Sequence, residues 1–193
     1  MEFSQLVKEN RSCRSFDRRR KITEEELLEL IDLTRYTAST CNRQVLRFRP
    51  VCLENEVEAV QAHTGWAAEL SELHLPYPGT EPAAFIAICF DRESVGTSNS
   101  YLRDLGIAAQ TILLAATEKG LGGCMLGSFD RKRVTEILKL PESAAPQLLV
   151  ALGKPMEERH IVEMPESGST DCFRDASGKI HYVPKRKLKD ILL

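Results

Sequence analysis

Hydrophobic and polar positions along this chain fall into stretches of helical and of strand-like spacing. Thr23-Glu24-Glu25-Glu26 has the form of a capping box, in which hydroxyl and carboxylate satisfy the free N–H groups of a helix start. Behind it Leu27, Leu28, Leu30, Ile31 and Thr34 recur at helical spacing, so an amphipathic helix is predicted from about Thr23 to Tyr36. A shorter one is predicted from Ser4 to Glu9. A long central helix is predicted from Ser98 to Lys119, because Leu102, Leu105, Ala108, Ala109, Ile112, Leu113, Ala115 and Ala116 form one wide apolar face and Gly120 supplies the stop. Asp130 caps a further short helix that runs to Leu138 before Pro141.

Strand-like runs lie between these helices. Phe48 to Leu53, Ala83 to Phe90 and Leu148 to Leu152 are short, rich in residues that suit strands and bounded by breakers. Glu54 to Pro82 begins as a short helix and ends in the Pro76-Tyr77-Pro78-Gly79 loop. Near the C-terminus, Cys172-Phe173-Arg174 and Ile180 to Val183 flank Asp175-Ala176-Ser177-Gly178, a polar hairpin turn. Strands and helices mix without strict β-α-β alternation, which favours an α+β fold over a doubly wound sheet. A length of 193 residues fits a single domain, residues 1–193, with a core that needs no disulfide or metal.

The formal charge of −2 argues against a dedicated nucleic-acid or anionic-membrane binder, but it conceals an uneven distribution. Residues 8 to 21 carry seven basic side chains against Glu9 and Asp17, and residues 179 to 189 carry five against none. Both ends are basic and the body is acidic. The N-terminus has no apolar core of signal-peptide length, and no apolar run approaches the ~20 residues of a membrane-spanning helix. The six cysteines are scattered, without C-x-x-C pairs, and the four histidines lack the i, i+4 spacing of a helical metal pair. Free thiols, a cytoplasmic location and no metal site are expected.

Four segments could carry chemistry. Arg11-Ser12-Cys13-Arg14-Ser15-Phe16 places two guanidinium groups beside a hydroxyl, a set that suits a phosphate monoester, although an isolated R-S-x-R is more often a solvated loop. Ala38 to Gln44 collects hydroxyl and amide groups able to read the edge of a planar heterocycle, or simply forms a polar loop. Gly120 to Gly127 does not match G-x-G-x-x-G and follows a helix, which disfavours a dinucleotide fold. Pro184-Lys185-Arg186-Lys187 closes the basic C-terminal stretch.

Taken together, in order and spacing, these segments resemble the nitroreductase family of FMN-dependent oxidoreductases over nearly the whole chain. The family's R-S-x-R-x-F motif is similar to Arg11–Phe16, and its P-S-x-x-N-x-Q-P-x-x-F loop to Ala38–Phe48. The A-x-x-x-G-L-G helix end with the following G-x-F-D is similar to Ala116–Asp130, l-x-x-x-l-G-x-P to Leu148–Pro155, and the basic C-terminal element to Lys185–Leu188. The resemblance implies an entwined homodimer built on a mainly antiparallel sheet flanked by helices, with two FMN sites at the interface. It places Arg11, Ser12, Cys13, Arg14, Lys185 and Lys187 at the FMN phosphate. Ser39, Thr40 and Asn42 would reach the flavin from the partner subunit, Gln44 would lie beside the ring, and Leu126, Gly127 and Ser128 would face the flavin N5 region. The chemistry would belong to the flavin, with no catalytic protein residue: hydride arrives from NAD(P)H and electrons leave, by a ping-pong mechanism, to a nitroaromatic, quinone or similar small-molecule acceptor. A flavin-binding sensor or store without turnover, and a dedicated reductive dehalogenase or flavin-modifying enzyme, are the alternatives on the same scaffold.

The chain also departs from the family pattern. Ala38 and Val45 stand where the family usually has proline, and Asn10 where a further arginine often precedes the R-S pair. Trp66, His74 and Tyr77, from the stretch between Gln61 and Pro82, are the candidate substrate wall. A single Trp in a small protein is usually a packing residue.

Overall fold

A computed structural model describes residues 1–67, 73–95, 100–166 and 168–193. Helix α1 (Phe3–Glu9) leads into the two-residue strand β1 (Phe16–Asp17), helix α2 (Glu24–Asp32) and strand β2 (Leu46–Val51). Helix α3 (Glu54–Gln61), strand β3 (Ala84–Asp91) and the short helix α4 (Arg92–Val95) precede the long helix α5 (Tyr101–Glu118). Strand β4 (Gly122–Leu126), helix α6 (Arg131–Ile137) and strand β5 (Ala144–Pro155) complete the central unit. The chain ends in β6 (Glu158–Glu163), β7 (Phe173–Arg174) and β8 (Ile180–Lys185).

The predicted capping box is present: Thr23 Oγ1 accepts the Glu26 N–H, and Glu26 accepts the Thr23 N–H in return. The last turn of that helix tightens into a 3₁₀ segment, Leu33–Tyr36. Asp130 caps α6 by accepting from the Arg133 N–H at 3.0 Å. At the end of α5 the left-handed Gly120 (φ +73°) allows a Schellman closure, with Leu121 N–H donating to Ala116 O and Gly120 N–H to Thr117 O. Strand β2 begins two residues earlier than its spacing predicts, at Leu46, and ends at Val51. The predicted start of the central helix at Ser98 lies outside the described residues, and the helix is in place from Tyr101.

All pairs in the central sheet are antiparallel. Strand β3 joins β2 to β5, while the other edge of β5 carries β4 and, at Lys154 and Pro155, β1. The period-2 geometry of a strand divides β3 between two cores. Ile86 and Ile88 pack with Leu27 and Leu30 of α2 and with Ala109 and Ile112 of α5. Phe85 and Ala87 pack with Val57 and Val60 of α3 and Val134 of α6. Both faces of the sheet are therefore covered, which is why Ala84 to Phe90 forms an uninterrupted apolar run. The fold is α+β, as expected. A second, three-stranded sheet was not anticipated: β8 pairs in parallel with β6 and antiparallel with β7. No helix among the described residues is long and apolar enough to cross a membrane.

Candidate functional site

Asn10 fixes the entry to the site. It is buried, donates through Nδ2 to Leu113 O and Thr117 Oγ1, each at 2.9 Å, and accepts from Gln110 Nε2 at 3.0 Å, so the segment after α1 is fastened to α5. The position that lacks the family's extra arginine thus holds a structural amide. Arg11 folds back and donates to the carbonyls of Val7 and Asn10. Beyond it Ser12 bridges Gly123 in parallel, and the Cys13 N–H donates to Gly123 O at 2.9 Å. Only glycine permits this approach: a Cβ on Gly122 would lie 3.1 Å from Cys13 Cβ, and one on Gly123 would lie 2.4 Å from Ala151 O. Gly123 thus serves close packing of β4 between β5 and α5, and Gly122 close packing against the R-S-x-R segment.

That packing brings the two ends of the chain together. Arg11, Ser12 and Arg14 line one side of a cavity of about 320 Å³, and His181 and Lys185 of β8 line the other. Cys13 is buried, with its thiol donating to Ser15 O, and burial pushes it up to about 12. Lys187 pairs with Glu163 at 3.3 Å instead of lining this cavity. Residues 18 to 21 of the basic N-terminal stretch are also neutralised elsewhere: Arg18 pairs with Glu58 and Glu81, Arg19 with Asp17, Arg20 with Glu26 and Lys21 with Glu54. Of the predicted cationic ends, Arg11, Arg14 and Lys185 are the side chains brought to the cavity.

Behind it lies a charge cluster that sequence reasoning missed. Glu157, just after β5, accepts the Arg14 N–H at 2.7 Å and forms an ion pair with Arg174 in which both side chains are almost fully buried. Arg174 also donates to Gly178 O at 2.7 Å. Arg14 Nη1, Arg159 Nε and Nη1, Arg174 Nε and His181 Nδ1 are buried with no hydrogen-bond partner among the described residues. Burial, reinforced by Arg14, Arg174 and Arg159 against the opposing pull of Glu157, pushes the His181 imidazole down to about 4. The signal available in the sequence was spacing alone, Glu157 and Arg159 lying two residues apart directly after the Pro155 motif.

A second cavity of about 260 Å³ shares Arg14 and Met125 with the first. Trp66, Leu126, Gly127 and Ser128 line it. Trp66 donates Nε1–H to Thr64 Oγ1 at 2.8 Å and meets Phe16 edge-on at 6.5 Å, so it both packs and faces the cavity. Tyr77 lies elsewhere, in a cavity of about 390 Å³ with the Arg174 guanidinium 5.8 Å from its ring, and His74 is exposed and lines none of these spaces. The three candidate wall residues are thus not brought together. Residues 68–72 of that stretch lie outside the described residues.

The Ser39–Gln44 loop is organised by Asp104, a buried carboxylate in the first turn of α5 that the sequence did not single out. Ser39 Oγ and Thr40 Oγ1 donate to it at 2.9 and 2.8 Å, and the Thr40 N–H adds a third donor. Gln44 N–H in turn donates to Ser39 Oγ at 3.0 Å. Cys41, Asn42 and Gln44 all take left-handed backbone, with φ of 51°, 52° and 50°, a strained run for non-glycine residues. Ser39 and Gln44 face a separate cavity of about 330 Å³. Within one chain, then, this loop and the Arg11–Arg14 segment line different spaces.

The nitroreductase family profile matches residues 7–154. The chain belongs to the nitroreductase family. An oxygen-insensitive NADPH nitroreductase of Helicobacter acinonychis is 25% identical over 187 residues, covering 80% of this chain and 88% of that protein. A nitroreductase family protein of Clostridium novyi superposes with a TM-score of 0.65 at 26% identity, covering 80% of this chain and 87% of that one. An NADPH:FMN oxidoreductase from Vibrio harveyi, solved with NAD⁺, shares the fold at a TM-score of 0.64 and 24% identity, over 85% of this chain and 74% of its own. The nitroreductase profile ends at Lys154, so Glu157 and the small sheet lie beyond the matched segment.

Proposed function

We propose that this member of the nitroreductase family is an FMN-dependent oxidoreductase that takes hydride from NAD(P)H and reduces nitroaromatic, quinone or similar electron-poor acceptors in alternating half-reactions. The observation that carries this reading is the meeting of Arg11, Ser12 and Arg14 with Lys185 at one cavity, where Arg14 Nη1 is buried with no hydrogen-bond partner among the described residues. Such an orphaned donor calls for an acceptor, and a phosphate monoester near −2 at neutral pH supplies one. The residues present therefore fit FMN.

Bound FMN supplies the redox chemistry, accepting hydride from a nicotinamide and passing electrons to the second substrate. The chain binds and orients. Arg11, Ser12, Arg14 and Lys185 would hold the phosphate, and the adjoining cavity of Trp66 and Leu126–Ser128 would receive the ring. Gly127 is exposed with open space where a Cβ would stand, so a planar ligand can approach the backbone there. Because the Ser39 and Thr40 hydroxyl protons are committed to Asp104, both hydroxyls would act towards a ligand as acceptors. No side-chain nucleophile is required.

The same reading makes the working unit a homodimer, with Ser39, Thr40, Asn42 and Gln44 completing the partner's site. Two features support it. The loop faces a cavity separate from the phosphate cavity, and α1, α2, the 3₁₀ turn and α5 expose Phe3, Leu28, Leu33, Tyr36 and Leu102, a quantity of apolar surface that a second copy would cover.

Anaerobic stopped-flow reduction of the purified protein with NADH and NADPH, followed by a panel of acceptors, tests the proposal. Bleaching of bound FMN and recovery of its colour on adding a nitroaromatic or quinone are expected. Protein that stays colourless after incubation with FMN would overturn the cofactor assignment. Bound FMN that stays oxidised under both donors would leave a binding protein without turnover.

A further inference from the structure

The register of the small sheet sets three side chains in a row. In β6–β8 pairing Arg159 lies opposite His181, and in β7–β8 pairing Arg174 lies opposite the same His181. The neighbouring row, His160, Tyr182 and Phe173, points the other way: Phe173 stacks on Tyr182 at 4.8 Å and is half exposed. Strand geometry thus turns one row, Arg159-His181-Arg174, inward against Arg14 and Glu157.

Within this inner row His181 is 1% exposed, lines the phosphate cavity and leaves Nδ1 without a partner. The charged groups around it come from every packed element: Arg159 of β6, Arg174 of β7, Arg14 of the N-terminal segment, Lys185 of β8 and Arg11 across the cavity, against Glu157 as the carboxylate. Cys172 completes the cavity wall. Arg14, Arg159 and Arg174 against Glu157 leave two positive charges uncompensated beneath a space lined by further cations, and an imidazolium there would add a third.

We propose that His181 is a proton-linked part of the anion site, neutral when the cavity holds no anion and protonated from solvent when a phosphomonoester dianion binds. The inference rests on reading the cavity as the FMN phosphate site. A dianion reverses the sign of the local field, so the imidazolium that the empty cavity disfavours becomes a hydrogen-bonding counter-charge. His181 would then be a positioning residue for the phosphate, with no part in the redox step. Burial among the same cations holds the free imidazole well below its ordinary range, which supports the neutral starting state.

Calorimetric titration of apoprotein at pH 7 in buffers of different ionisation enthalpy reads the proton directly. FMN is expected to bind with uptake of roughly half to one proton, riboflavin, which lacks the phosphate, with none, and His181→Gln is expected to remove the FMN-linked uptake. The FMN Kd of the unmodified protein should rise towards tenfold per pH unit above the titration of the bound imidazole, and less in the variant. In case the variant does not fold, the His181 ring proton signal followed by NMR in the unmodified protein gives a second reading, and its titration should move to higher pH when FMN is added. FMN binding without proton uptake, and an NMR titration unmoved by FMN, would overturn the role of His181 and leave the proposed function standing. A folded protein that binds no FMN at any pH would overturn both.

Discussion

Replacing Glu157 by glutamine removes the carboxylate that pairs with Arg174 and that acts on His181 against Arg14, Arg174 and Arg159. The isosteric amide can still accept the Arg14 N–H, now 2.7 Å from Glu157 Oε1, but it turns an N–H towards a guanidinium whose side chain is 2% exposed. Breaking a buried ion pair from one side typically costs ~3–5 kcal/mol, because the surviving charge stays desolvated. In a chain of this size ~1 kcal/mol lowers Tm by about 2–4 °C, so a fall of roughly 6–20 °C is expected in apoprotein melts at fixed protein concentration. Glu163→Gln is the control: its pair with Lys187 is exposed on both sides, and such pairs contribute ~0–1 kcal/mol. Saturating FMN should recover part of the Glu157→Gln loss, since the phosphate supplies the missing negative charge. A loss below ~1 kcal/mol, or one unchanged by FMN, would refute the view that this carboxylate holds the cationic cluster in place.

Apoprotein stability should fall as pH drops from 6.5 towards 4, because the unfolded chain protonates His181 at its ordinary pKa while the folded one resists to about 4; His181→Gln should flatten that part of a urea-denaturation series. Gly123→Ala drives a Cβ into Ala151 O and Leu113, and a destabilisation on the order of 3 kcal/mol is expected by chemical denaturation, with weaker FMN binding as the Arg11–Arg14 segment is displaced. Thiol titration with a chromogenic disulfide at pH 8 should label exposed Cys41 at once. Cys13 and Cys89, pushed by burial to about 12 and about 11, should react only on unfolding. Thr23→Ala, which removes a reciprocal cap from α2, should cost ~1 kcal/mol in the same denaturation assay.

Elements decided by local spacing were legible in the sequence. Thr23 with Glu26, the apolar face of α5 closed by Gly120, and the cap at Asp130 all depend on residues within a turn or two of one another. The Asp175–Gly178 turn between β7 and β8 was legible for the same reason. Strand β6 was not, since Glu158-Arg159-His160-Ile161 carries no apolar alternation and is a strand only because β8 pairs with it. Charge counting located the basic ends but could not show that Arg18, Arg19, Arg20 and Lys21 are matched by acids brought close in the fold. Asp104 looked like an ordinary polar residue in the first turn of a helix, and its role depends on a loop some 60 residues earlier folding back onto it.

The pairing of β6 with β8 is parallel, so its register cannot be set by a tight turn between the two strands. What separates the cationic row from the aromatic row is a single step along each strand, and a slip of one residue would exchange them. The length of chain between Glu157 and Arg159 is thus under tighter constraint than the identity of its middle residue. Deleting Glu158 would bring His160 to the inward position beside His181 and carry Arg159 outward, while β7 and β8 keep Arg174 and His181 where they are, so one cation of the buried row would be lost to the surface.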